Sequence, residues 1–133
     1  MKTALFILTL LTSLLGCKDS PPPDCGCESK AHTTIPESAN SVGKMFYNRP
    51  QNLSENYYNN TFWIVYPPDA SSVHSKMIVC NEDILGNEFV DIMESGESVE
   101  VKFSGHRKEV CEKAFAPSIY TYERITLTSI ERQ

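Results

Sequence analysis

Five cysteines and three histidines are the residues of this 133-residue chain best equipped for chemistry. A thiolate can bind a metal, attack an electrophile or pair with a second thiol. Cys25-Gly26-Cys27, followed by His32, offers sulfur and imidazole, both good zinc ligands. The two thiols are one residue apart, however, where zinc sites usually leave a gap of about two to four, and no fourth ligand follows. Asn81 to Gly86 has oxygen ligands and a glycine at calcium-loop spacing, but Leu85 and Ile92 occupy places where oxygens are required. Neither a metal nor another cofactor is expected. Ser104-Gly105-His106 brings a hydroxyl and a base together in sequence. Neighbours on a strand point to opposite faces, no nucleophile elbow surrounds the serine, and no carboxylate is placed to orient the histidine. Glu94, Glu97 and Glu100 read as a solvated edge rather than an acid–base pair. No catalytic residue is assigned, and the chain reads as a non-enzyme.

The aromatic residues offer contact chemistry instead. Tyr57, Tyr58, Trp63, Tyr66, Tyr120 and Tyr122 carry flat faces that can stack on sugar rings or on other aromatics. Phe62, Ile64 and Tyr66 share one face of a strand, with Trp63 and Val65 on the other. A strand apolar on both faces is usually buried on both. Tyr57 and Tyr58, in a polar segment, and Trp63 are the candidate ligand contacts.

Charge limits the partners. The chain carries 12 basic and 17 acidic residues, for a net of -5; without Lys2, the only charge before Cys17, it is -6. An acidic surface repels phosphate backbones, so nucleic acid is not an expected partner. The same balance argues against electrostatic docking on anionic lipid and leaves membrane attachment to covalent chains.

Residues 1–17 read MKTALFILTLLTSLLGC. Lys2 precedes an uncharged stretch from Ala4 to Leu15, which has the length of an export-signal core. Twelve helical residues span roughly 18 Å, too little for a hydrocarbon core of roughly 30 Å. Leu14-Leu15-Gly16-Cys17 resembles the lipobox of bacterial lipoproteins, with Leu15 where a small residue is more usual. The resemblance covers these first 17 residues. It implies cleavage before Cys17, a diacylglyceryl group on its sulfur and acylation of the new amine, leaving 1–16 as signal peptide. Two or more acyl chains anchor stably where one does not. Lys18, in place of an acidic retention residue, favours the outer membrane of a bacterial envelope, periplasmic or surface-exposed.

Behind the anchor, residues 17–42 read as an extended tether, stiffened by Pro21-Pro22-Pro23 and otherwise polar. A globular domain of residues 43–133 follows. Five segments read as strands: Lys44–Tyr47, Thr61–Tyr66, about His74–Cys80, Ser98–Ser104 and about Tyr120–Ile130. The fourth alternates Val99, Val101 and Phe103 against Glu100 and Lys102, and Gly105 marks a turn at its end. Between the third and fourth strands, Leu85, Phe89, Ile92 and Met93 recur at helical spacing, with Asn81 as N-cap and Gly96 as C′. Gly86 weakens that helix by about 1 kcal/mol relative to alanine. The fold is therefore expected to be mainly β. Its order of elements resembles the OB-fold, a small five-stranded barrel with one short helix between strands 3 and 4; a small open β-sandwich is the alternative.

With Cys17 lipidated, four thiols remain, allowing three pairings in an oxidising compartment. A Cys80–Cys111 bridge would close a loop of roughly 32 residues and stabilise by about 3–4 kcal/mol. The rival pairing staples Cys25 and Cys27 to Cys80 and Cys111 and shortens the tether. The sequence thus points to a lipid-anchored binding or accessory module for an envelope protein, peptide or glycan. A structural or assembly factor is the alternative, and a hydrolase is a weaker third.

Overall fold

The computed structural model describes residues 20–49, 59–68, 74–111 and 120–133. The expected signal peptide at 1–16, the lipidation candidate Cys17, and Tyr57 and Tyr58 lie outside those residues. Six strands form one sheet: β1 (Thr33–Ile35), β2 (Ser41–Asn48), β3 (Thr61–Tyr66), β4 (His74–Val79), β5 (Val99–Lys108) and β6 (Tyr120–Arg132). β2, β3 and β4 form an antiparallel meander. β6 pairs in parallel with β4 and antiparallel with β5, and β5 pairs back onto β2. The sheet therefore closes on itself as the five-stranded OB-like barrel, and the open sandwich is ruled out. Closure removes the free edges that an open sheet of this size would present.

The alternation in sequence explains which residues fill the barrel. Met45, Phe62, Ile64, Met77, Val79, Val101, Phe103, Ile125 and Leu127 are all buried in one cluster. Each large aliphatic or aromatic side chain removed from water contributes about 1.5–3 kcal/mol. Two glycines permit the tight curvature. A Cβ on Gly43 would lie 2.8 Å from Ile64 Cγ2, and one on Gly105 would lie 2.6 Å from the Thr126 carbonyl oxygen. Gly105 is therefore not a turn residue. It sits inside β5, beside the register shift against β6, and β5 continues to Lys108.

The expected helix is shorter and later than its periodicity implies. Glu82–Ile84 and Asn87–Phe89 are single 3-10 turns, and α1 spans only Val90–Ser95. Leu85 and Gly86 are extended between the two turns, which breaks the helical path at the residue least suited to it. Phe89 and Ile92 still enter the core, whereas Met93 is 40% exposed. Gly96 does end α1, with φ of 73° and its N–H bonded to the Ile92 carbonyl. The Arg49 guanidinium donates to the carbonyls of Met93 and Glu94 at the same end. Asn81 makes no N-cap bond. Its carboxamide instead accepts from Leu127 N–H at 2.7 Å and donates to Leu127 C=O at 2.9 Å, adding a rung where the β4–β6 ladder stops.

The larger departure lies in the segment read as tether. Residues 25–35 are held on the barrel by two disulfides, Cys25–Cys111 and Cys27–Cys80, and by β1, which pairs with the last part of β5. Cys80 and Cys111 are thus both bridged, but not to each other. The direct Cys80–Cys111 bridge gives way because the strap carries two thiols across the outside of the barrel, one to each. Gly26, at φ of 89°, lets the strap turn between its two cysteines, and its N–H bonds to the Glu109 carbonyl. Ile35 then enters the core and Ser29 is buried. Peptide mapping under non-reducing conditions should recover Cys25 linked to Cys111 and Cys27 linked to Cys80. Replacing Cys27 and Cys80 together by serine should lower unfolding stability by about 2–4 kcal/mol. A peptide joining Cys80 to Cys111 would overturn this arrangement.

Candidate functional site

Two polar or aromatic groupings stand out against the apolar core. The first is at the end of the barrel where β4 and β6 begin and β5 ends. Glu123 lies two residues before Ile125, Ser75 two before Met77, and Arg107 pairs with Ile125 across the ladder. All three side chains therefore fall on the inward face. Arg107 donates from Nε to Glu123 Oε2 at 2.8 Å and from Nη2 to Ser75 Oγ at 3.0 Å. The Glu123 side chain retains only 8% of its exposure and that of Arg107 21%. His32, from the strap, places Nε2 3.3 Å from Glu123 Oε1 and Nδ1 3.0 Å from the Thr33 hydroxyl.

Thr33, His32 and Glu123 thus form a hydroxyl–imidazole–carboxylate row, the arrangement that activates a nucleophile in many hydrolases. Here the carboxylate is already committed to the Arg107 guanidinium, which offsets the charge that would stabilise an imidazolium. The His32 backbone N–H also bonds to the Arg107 carbonyl at 3.0 Å. The row reads as the clamp that seats the strap on the barrel end. Removing one partner from a largely buried pair leaves a charge without its counterion, at a cost of about 3 kcal/mol. Glu123→Gln should therefore destabilise by about that amount in denaturant unfolding. The double change Arg107→Met, Glu123→Leu should recover most of the loss; a double variant as unstable as the sum of its two singles would refute the coupling.

The second grouping covers the outside of the barrel. Cross-strand register lines up Phe46, Trp63, Ile78 and Arg124 in one row, and Lys44, Val65, Lys76 and Tyr122 in the next. Trp63 is stacked with Phe46 at 6.1 Å and edge-on to Tyr122 at 6.1 Å, and its indole N–H donates to Thr61 Oγ1 at 3.0 Å. It is only 5% exposed and forms a small second core with Ile78, flanked by Phe46, Val110 and Tyr122. Trp63 is therefore a packing residue, not the ligand contact proposed from sequence. Nearly all of its surface is already covered. Its position on a strand apolar on both faces gave that warning.

Lys76, half-buried, lies beside this cluster. Its ammonium lies 3.9 Å from the centroid of the Tyr120 ring and 5.9 Å from that of Tyr122. Both rings offer their negative faces to the cation. Burial holds the Lys76 amine below the usual lysine range. His74, also buried, is bonded through Nδ1 to the Pro67 carbonyl at 2.7 Å and leans on Tyr120 at 5.9 Å. Sequence spacing did not single out Lys76. The signal was available only once β6 was placed beside β4, which sets Tyr122 opposite it.

The remaining sequence candidates do not meet. Ser104 is buried and bonded to the Thr128 and Ser129 hydroxyls, while His106 Nδ1 is bonded to Thr34 Oγ1 at 3.0 Å. The sulfurs of Cys25 and Cys27 are in disulfides rather than thiolates, and among the described residues no cluster of His, Cys, Asp or Glu could hold a metal ion. Glu94, Glu97 and Glu100 are exposed. Comparison with protein-family models and with curated proteins returns no match for this chain, so its function has to be argued from its own residues.

Proposed function

We propose that this chain is a lipid-anchored protein of the bacterial cell envelope, placed in the outer membrane, whose barrel is a non-catalytic binding or accessory module for an envelope protein, peptide or glycan. The observation that carries the reading is Leu14-Leu15-Gly16-Cys17 standing directly before a barrel whose next four cysteines are all paired. A fully paired set suits an oxidising compartment, which is where an exported chain arrives. The polar cluster at the barrel end supports a holding role over a catalytic one, because its carboxylate is bonded to both Arg107 and His32.

The disulfides also change the tether. Cys25 is the first residue fixed to the barrel by a covalent cross-link, and it lies eight residues after Cys17. A fully extended segment of that length reaches about 29 Å at most. A lipid on Cys17 would therefore keep the barrel within about one domain diameter of the bilayer, not at the end of a long arm. Replacing Cys17 by serine should move the protein from the membrane fraction to the soluble fraction. The intact mass of the natural protein should correspond to a chain starting at Cys17 and carrying acyl groups. Tight membrane association of the serine variant would sink the reading.

A further inference from the structure

β5 carries two partners in line along one edge. β2 pairs with residues 99–103 and β1 with residues 105–107, both antiparallel. On β5 only Ser104 separates the two pairings; on the partner chain residues 36–40 do. Those residues loop out as a single 3-10 turn, Glu37–Ala39, and return through Asn40 at φ of 48°. The opposite edge of β5 is irregular at the same place. Ser104 pairs with Ser129 and Gly105 with Leu127, which leaves Thr128 as the extra residue of a bulge. An otherwise regular wall is thus broken on both sides of one residue.

The break coincides with a crevice of about 250 Å³ lined by Glu37, Lys102, Phe103, Ser129, Ile130 and Glu131. Phe103 and Ile130 pack into the core, so Lys102 and Glu131, their neighbours on the two strands, point outward and stand opposite each other. Glu37 and Glu131 are exposed and Lys102 is half-buried. Although Lys102 faces Glu131, the two form no ion pair, and none of the three charged groups has such a partner among the described residues. The Ser129 hydroxyl is fixed 2.6 Å from the Oγ of buried Ser104, with hydrogen-bonding capacity left over. The crevice therefore presents two acceptors, one donor and one group that does both.

We propose that this crevice binds one neutral sugar ring of a glycan, with Glu37 and Glu131 accepting from its hydroxyls, Lys102 donating to them and Ser129 completing the set. The proposal takes the glycan branch of the binding-module reading above and rests on it. Charge selects the ligand class. An ammonium ligand would meet Lys102 and an anionic one would meet two carboxylates, so either would add a like-charge contact. A sugar hydroxyl both gives and accepts hydrogen bonds, and a neutral ring brings no charge of its own. Ile130 and Phe103 supply the apolar part of the lining, which suits the carbon–hydrogen face of a ring. Pockets for larger ligands start at roughly 300 Å³, so the site has room for a single ring rather than a chain of them.

The test titrates the isotope-labelled mature protein, in detergent, with glucose, galactose, N-acetylglucosamine and, as a zwitterion spanning the same charges, alanine. Backbone amide shifts are read by NMR. At least one sugar should move Lys102, Ser129 and Glu131 together and saturably, with a dissociation constant of about a millimolar for so small a ligand. Glu131→Gln and Lys102→Met should each weaken that binding by about fivefold, the weight of one hydrogen bond, while Glu94→Gln on α1 leaves it unchanged. Saturation of these amides by alanine and not by a sugar overturns the sugar assignment, and equal affinity in the Glu131 and Lys102 variants overturns the site. A sugar that moves amides only elsewhere on the barrel also overturns the crevice but keeps the glycan reading. No sugar bound anywhere overturns the proposal and leaves the module to a protein or peptide.

Discussion

β6 pairs along both of its edges, with β4 in parallel and β5 antiparallel, and almost everything else in the molecule follows from that double pairing. It turns a curved sheet into a closed wall and places Ile125 and Leu127 in the same dry interior as Met45 and Ile64. It faces Glu123 inward at the barrel end, where a carboxylate needs a counterion, and brings Arg107 from the neighbouring strand to supply one. It also lays Tyr120 and Tyr122 alongside Lys76. The parallel half of the pairing is extended by Cys80 N–H, which donates to the Ile125 carbonyl, and by the Asn81 carboxamide on Leu127. The chain thus leaves the ladder through polar contacts that replace missing strand bonds.

The strap is the second organising feature. A barrel of about a hundred residues has little stability to spare. Two cross-links, β1 and the His32–Glu123 contact add a layer outside the wall at small cost in length. They also define where the chain leaves the barrel. The segment between the proposed lipid anchor and Cys25 therefore meets the barrel at a point fixed by covalent bonds.

Much of the barrel was legible in the sequence. Thr61–Tyr66 is dense in strand formers and ends at prolines, and the alternation of Val99, Val101 and Phe103 sets the inward face of β5. The order of elements pointed to the barrel because each strand's alternation marks which of its faces turns inward. What was not legible depends on contacts between distant parts of the chain. β1 has three residues and no alternation of its own; its place is set by the free length of β5 and by two disulfides. Ile35, the one large aliphatic side chain between Pro23 and Val42, was the available hint that this stretch is packed. The helical periodicity from Leu85 to Met93 was real, but it could not show that extended backbone at Leu85 and Gly86 divides it into separate turns. Trp63 falls on the face opposite Phe62 and Ile64, as its place in the strand implied, but the alternation alone could not show that Phe46, Ile78, Val110 and Tyr122 pack around it.

The double pairing of β6 carries a consequence for how the molecule is assembled. As the chain emerges from its N-terminal end, Cys25, Cys27 and Cys80 are all available before Cys111, and every other strand is present before β6. The meander can form early and take on β5 along β2, but it remains an open ribbon with bare edges on β4 and β5 until the final strand zips both at once. During that interval Cys80 can meet either strap thiol, and they are only one residue apart. Correct oxidation is therefore selected by the closed wall rather than by the order of appearance, and a thiol-exchange catalyst would be needed most by chains that paired before the last strand arrived.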